Sequence, residues 1–226
     1  IRDHCVTGVQ TCALPISGLA TVIIVWKWTE KRSGSAIGVW AGVLAFTNPM
    51  LLEHATEARG YAFMMLTGAL SLPLADHLHA SNRTKKGTLL QYALVQVFGV
   101  GTHLTTAFLA VGHSILGFTQ RSWRLFLASS LAAVLALPLL WPVLEGLWLT
   151  RDQLTQSVGT PQGGYGLLRV LGGQMAFGWV LIPIMVHGLF RCPRDVRRTL
   201  LGPIVGLLML WLMILISDSW AYTRFG

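Results

Sequence analysis

Between Asn48 and Phe63 the chain gathers its densest set of reactive groups: Glu53, His54, Glu57, Arg59 and Tyr61 stand within nine residues, with apolar sequence on both sides. Ionisable groups at a membrane boundary cost free energy unless they are hydrated or paired, so such a cluster is a candidate functional site. On a helix, Glu53 and Glu57 share a face at i, i+4, and His54 stands beside Glu57 at i, i+3. Such a face can hold a divalent cation through carboxylate oxygens, or present the planar fork of Arg59 to a phosphate. A solvated connecting loop with Glu57 and Arg59 as neighbours accounts for the same residues, and spacing alone leaves these alternatives open. His103 is a further candidate: it can face the same cavity and bind a ligand, or stand as a hydrated residue at a helix turn.

The elements that position these groups follow from composition. Of 226 residues, 53% are apolar and only 12% charged, with a mean hydropathy of +0.59, whereas a soluble domain carries about 25% charged residues. A water-soluble enzyme is excluded, and the expected class is an all-α polytopic membrane bundle. Uncharged runs mark its crossings: 33–52, 60–75, 87–120, 125–144, 170–190 and 199–217, with 18–26 as the end of a truncated first helix. About 20 apolar residues cross a bilayer, so most runs make one crossing each.

The run 87–120 has 34 residues, about 51 Å as one helix and too long for a single crossing. Charge placement predicts that it turns back at Gly99–His103. Lys27, Lys31, Arg32, Arg83, Lys85, Lys86, Arg121, Arg124, Arg191, Arg194, Arg197 and Arg198 then share one side, leaving Arg59, Arg151, Arg169 and Arg224 on the other. The positive-inside rule makes the first side cytoplasmic. Glu53, Glu57 and His103 fall at the outer face, and Trp26, Trp28, Trp141, Trp148, Trp211 and Trp220 near the interfaces, where indoles anchor helix ends. The net charge of +8 is thereby assigned to loop anchoring against membrane lipids, with no nucleic-acid partner. Cys5, Cys12 and Cys192 lack metal-ligand spacing. His113 and His187 are expected to pack helices, and His77 and His79, beside Asp76, to sit at the inner interface.

Glu57-Ala58-Arg59-Gly60-Tyr61-Ala62, preceded by Asn48-Pro49 and followed by a Leu-rich helix, resembles the signature of bacterial family 39-like glycosyltransferases. These are membrane enzymes of the GT-C fold, related to the protein mannosyltransferases. Gly101-Thr102-His103-Leu104 is similar to that family's Tyr-Thr-His followed by an aromatic, with Gly101 and Leu104 departing from it. The resemblance covers residues 36–120 by motif order and the rest by hydropathy alone. It implies transfer of a sugar from a polyprenyl-phosphate carrier to an acceptor on the periplasmic face of the inner membrane, often with a divalent metal such as Mg or Mn. By the same resemblance Arg59 and Tyr61 meet the donor's phosphate and headgroup, and Glu57, with Glu53 and His54, holds a metal or orients Arg59. Arg224, near the far end of the last helix, takes a phosphate-side role, although Phe225 stands where the family has Tyr. The family's general-base Asp belongs to an outer loop that precedes these residues, so this stretch alone is expected to be inactive. Membrane transport or flipping of a lipid-linked or amphipathic substrate is the alternative.

Residues 6–16 resemble a translated sequencing adapter. Residues 1–17 are accordingly expected to be non-native, leaving 18–226 as one transmembrane domain, truncated at both ends.

Overall fold

The computed structural model describes residues 7–48, 51–52, 61–80, 86–157, 183 and 186–225. Among these the chain is all-helical, without strands. Among the described residues the helices with defined bounds are α1 (Thr7–Ser33), α2 (Ser35–Phe46), α3 (Tyr61–Ala80), α4 (Lys86–Thr102), α5 (Thr106–Thr119), α6 (Trp123–Ser157) and α7 (Arg194–Phe225), and residues 186–191 are helical as well.

The long uncharged run does turn back. His103–Thr105 interrupt it, with the His103 N–H still donating to Gly99 O (2.9 Å) and the Thr106 N–H to His103 O (3.0 Å). Tyr92 and His113 would lie about 31 Å apart on one straight helix; their ring centroids are 5.8 Å apart. The break falls at the end of the expected Gly99–His103 segment because Gly99 and Gly101 remain helical.

Two further turns among the described residues each have their own local device. Gly34, at φ 94°, separates α1 from α2 in a region that glycine enters without a Cβ penalty. At the turn from α5 to α6, the N–H groups of Arg121 and Ser122 donate to Phe118 O and Gly117 O, the paired bonds of a Schellman ending. That ending puts its left-handed residue where glycine is usual, yet here Arg121 occupies it at φ 55°. Arg121→Gly is therefore expected to raise stability by about 1 kcal/mol, measured as an increase in Tm; an unchanged or lower Tm would show that the arginine side chain offsets its backbone strain.

Helices α3 to α7 pack around Ala75, Leu78, Tyr92, Leu116, Leu125 and Ala128. Much of the rest of the buried set is small or polar: Ala62, Ala69, Ala93, Ala110, Ala132, Ala136, Thr67, Ser71, Thr106 and Ser129. Large apolar groups such as Leu94, Phe98, Phe118, Leu127, Val134, Leu137 and Trp141 face outward. On α6 both sets are plain, with Leu125, Ala128, Ser129, Ala132 and Ala136 forming an inward stripe at helical spacing. Where α5 meets α7 the backbones nearly touch. A Cβ on Gly112 would fall on the Gly202 carbonyl oxygen and 2.7 Å from Gly206 N, and one on Gly206 would fall on Phe108 O.

Several bounds differ from expectation. Residues Thr7–Ser17, set aside in the sequence, form the first half of α1, with Leu14 and Ser17 buried. The expected truncated helix at 18–26 is thus part of a 27-residue one. The crossing expected at 33–52 contains a helix of only 12 residues, α2, about 18 Å long. It stops before Asn48-Pro49, where proline disfavours the α conformation of the residue preceding it. Helix α6 runs from Trp123 through to Ser157, past residue 144, at which the expected crossing ends. Among the described residues one helix, Trp123–Pro142, is both long and apolar enough to cross a membrane, with a mean hydropathy of 2.0; α2 and α5 are apolar but shorter.

Candidate functional site at the hairpin apex

Tyr61 opens α3 and His103 closes the apex of the α4–α5 hairpin. Their rings meet, with centroids 4.7 Å apart and planes inclined at 38°. His103 Nδ1 lies 2.7 Å from Thr105 Oγ1 and accepts from the Thr105 N–H at 3.3 Å. Thr105 Oγ1 is in turn 3.1 Å from Met64 Sδ, one turn along α3. Two segments 42 residues apart in sequence are thereby joined at one end of the bundle, and the imidazole is held from two sides. Below them Phe63 and Phe98 pack edge to face at 6.1 Å. Beside the apex, α4 and α6 leave an open apolar groove of about 440 Å³, lined by Leu94, Val97, Phe98, Gly101, Thr102 and Leu139.

Of the residues singled out from sequence, the structure brings together Tyr61 and His103. Glu53, His54, Glu57 and Arg59 lie outside the described residues. Arg224 belongs to the last turn of α7. Among the described residues no three His, Cys, Asp or Glu side chains converge as a metal site would require, so the donor set implied for a divalent ion rests on Glu53, His54 and Glu57. His187, expected to pack between helices, is exposed instead.

The opposite end of the bundle carries an ion pair that no local spacing announces. Both Arg32 Nε (2.8 Å) and Arg32 Nη2 donate to Asp76 Oδ2, as does the Trp28 indole N–H at 3.4 Å, and the Thr199 hydroxyl donates to Asp76 Oδ1 at 3.3 Å. One carboxylate thus ties α1, α3 and α7. Lys27, Lys31, Lys86, Arg121, Arg124, Arg194, Arg197 and Arg198 stand on the helix ends around it, so this is the strongly basic end. Between the two ends, His113 and Tyr92 are fully buried, with Tyr92 Oη 2.7 Å from His113 Nδ1.

Sequence inspection passed over the tie at Asp76, the Tyr92–His113 pair and the glycine contact. For the last a signal was present: Gly202 and Gly206 have the spacing by which membrane helices approach closely. For the other two none was, because Arg32 and Asp76 are 44 residues apart and Tyr92 and His113 are 21.

No family model, curated protein or solved structure matches this chain.

Proposed function

We propose that this chain is part of a polytopic inner-membrane glycosyltransferase of the GT-C type, which moves a sugar from a polyprenyl-phosphate carrier to an acceptor at the periplasmic face. The observation that carries the proposal is the meeting of Tyr61, at the end of the Glu57-to-Tyr61 motif, with His103, from the second motif, beside an apolar groove. A lipid-linked donor needs that combination: polar groups at a helix end for the phosphate and sugar, and an adjoining apolar surface for the chain.

The membrane setting has independent support. Large apolar side chains such as Phe98, Leu127, Leu137 and Trp141 face outward, and a soluble monomer rarely exposes large continuous apolar surface. The basic end lies opposite the Tyr61–His103 end, which fits cations facing the cytoplasm and the site facing out.

As the glycosidic bond to the carrier breaks, negative charge develops on the departing phosphate, and a guanidinium fixed beside it stabilises the transition state. Arg59, two residues before Tyr61, takes that role; Glu57 orients it or, with Glu53 and His54, holds the divalent ion. Hard carboxylate oxygens suit Mg or Mn. Tyr61 and His103 line the headgroup. The resemblance assigns the general base to an Asp preceding these residues, so the activity is tested in the complete gene product. There Arg59→Ala is expected to reduce sugar transfer from a polyprenyl-phosphate donor at least 100-fold, the scale on which single electrostatic donors act, with unchanged membrane insertion. Wild-type turnover in that variant would remove Arg59 from the mechanism.

Transport of a lipid-linked substrate is the second reading, and the buried His113–Tyr92 pair favours it, since intramembrane ionisable residues mark transport paths. Transfer assays separate the two: a transporter moves the lipid-linked sugar across vesicles and leaves it attached.

A further inference from the structure

The α4–α5 hairpin is closed along two facing stripes. Tyr92, Gln96 and Gly99 recur at i, i+4 and i+7 on α4, with His103 just past its end, and Thr106, Ala110, His113 and Gly117 recur at i, i+4, i+7 and i+11 on α5. The stripes meet at both levels where contacts fix them. Tyr92 bonds His113; nearer the apex a Cβ on Gly99 would lie 2.5 Å from Thr106 Cγ2 and 2.8 Å from Thr67 Oγ1.

Between these levels the seam is polar and unmatched. Gln96 is 1% and Thr106 4% exposed. Neither amide atom of Gln96 nor Thr106 Oγ1 has a hydrogen-bond partner among the described residues; His113 Nε2, also without one, lies against Gly202 of α7 rather than in the seam. Gln96 lies one turn from Tyr92 on the same stripe, and Ala110, level with it on α5, carries only a methyl group. Native interiors satisfy nearly every buried polar group, and a water fits wherever two to four such groups converge with room for it.

We propose that this seam is a hydration site: bound water joins the Gln96 amide and the Thr106 hydroxyl to the Tyr92–His113 pair, closed toward the apex by the tight contact at Gly99. Ser129 Oγ, 3.4 Å from Tyr92 Oη, closes the network on the α6 side while donating to Leu125 O at 2.8 Å. The seam would thus supply the Tyr92–His113 pair with an exchangeable hydrogen-bonded neighbour besides the protein groups it already meets. This stands whether or not the chain transfers sugars.

X-ray hydroxyl-radical footprinting of the protein in membranes tests it, because radicals formed from bound water label the side chains around that water. After correction for the intrinsic radical reactivity of each side-chain type, Tyr92 and His113 are expected to be oxidised at least 5-fold faster than Leu125 and Leu78, which are equally buried. In Gln96→Leu the labelling of Tyr92 and His113 is expected to fall and Tm to drop. Labelling of Tyr92 and His113 no faster than of Leu125, or a Gln96→Leu protein with a raised Tm, would show a dry seam and overturn the proposal. If Gln96→Leu does not fold, the wild-type labelling ratio alone decides.

Discussion

Asp76→Ala is expected to destabilise the bundle by about 3 kcal/mol, on the scale for removing one partner of a largely buried ion pair. The carboxylate is the common acceptor for Arg32, Trp28 and Thr199, which come from α1 and α7. Its removal leaves a guanidinium whose side chain is only 27% exposed, an indole N–H and a hydroxyl without their shared acceptor, and α1 and α7 lose their tie to α3. In a chain of this size that corresponds to a fall in Tm of roughly 6–12 °C. Asp76→Asn keeps an acceptor oxygen and forfeits the charge, so its loss should be smaller. Thermal unfolding in lipid nanodiscs measures both. A wild-type Tm for Asp76→Ala would mean that the three helices are held together without this group.

Gly112→Ala is expected to cost as much or more, by a different cause. Its added methyl meets the Gly202 carbonyl and the Gly206 nitrogen on α7, and backbone atoms cannot move aside by changing rotamer. Overpacking typically costs about 1–3 kcal/mol and more where the neighbour is rigid. Gly206→Ala presses on Phe108 O from the other side, while Gly202→Ala strikes the His113 ring, with Nε2 at 3.0 Å, and so strains the bond to Tyr92. The control is Gly68→Ala, in a helix with no heavy atom within 4 Å of the added Cβ; it should gain about 1 kcal/mol from better helix propensity. If all four variants unfold alike, close approach of α5 and α7 does not stabilise the fold.

These two contacts explain what the sequence made legible and what it did not. Uncharged runs bounded by cations exposed the helical class, and the surplus length of 87–120 exposed the hairpin, because both are properties of consecutive residues. Bounds were harder: α6 continues past Glu145 and Arg151 to Ser157, since the charges that bound an uncharged run do not stop the helix's hydrogen bonds. Pairings across the bundle were invisible. Asp76 showed itself only as an acid at a helix end, and its partners lie 44 and 123 residues away. At the candidate site, motif order placed Tyr61 and His103 on elements that the fold brings into contact. The part Thr105 and Met64 play in holding His103 depends on the register of α3 against the apex, which no spacing specifies.

The central claim is that the Tyr61–His103 end accepts a lipid-linked donor, and photocrosslinking tests it most directly. A polyprenyl-phosphate sugar carrying a photoreactive group in its chain, irradiated in membranes containing the complete gene product, should label peptides of α4 and α6 around Phe98 and Leu139, and unlabelled carrier should compete. Labelling that is absent from those peptides, or that persists undiminished under excess carrier, would contradict the account.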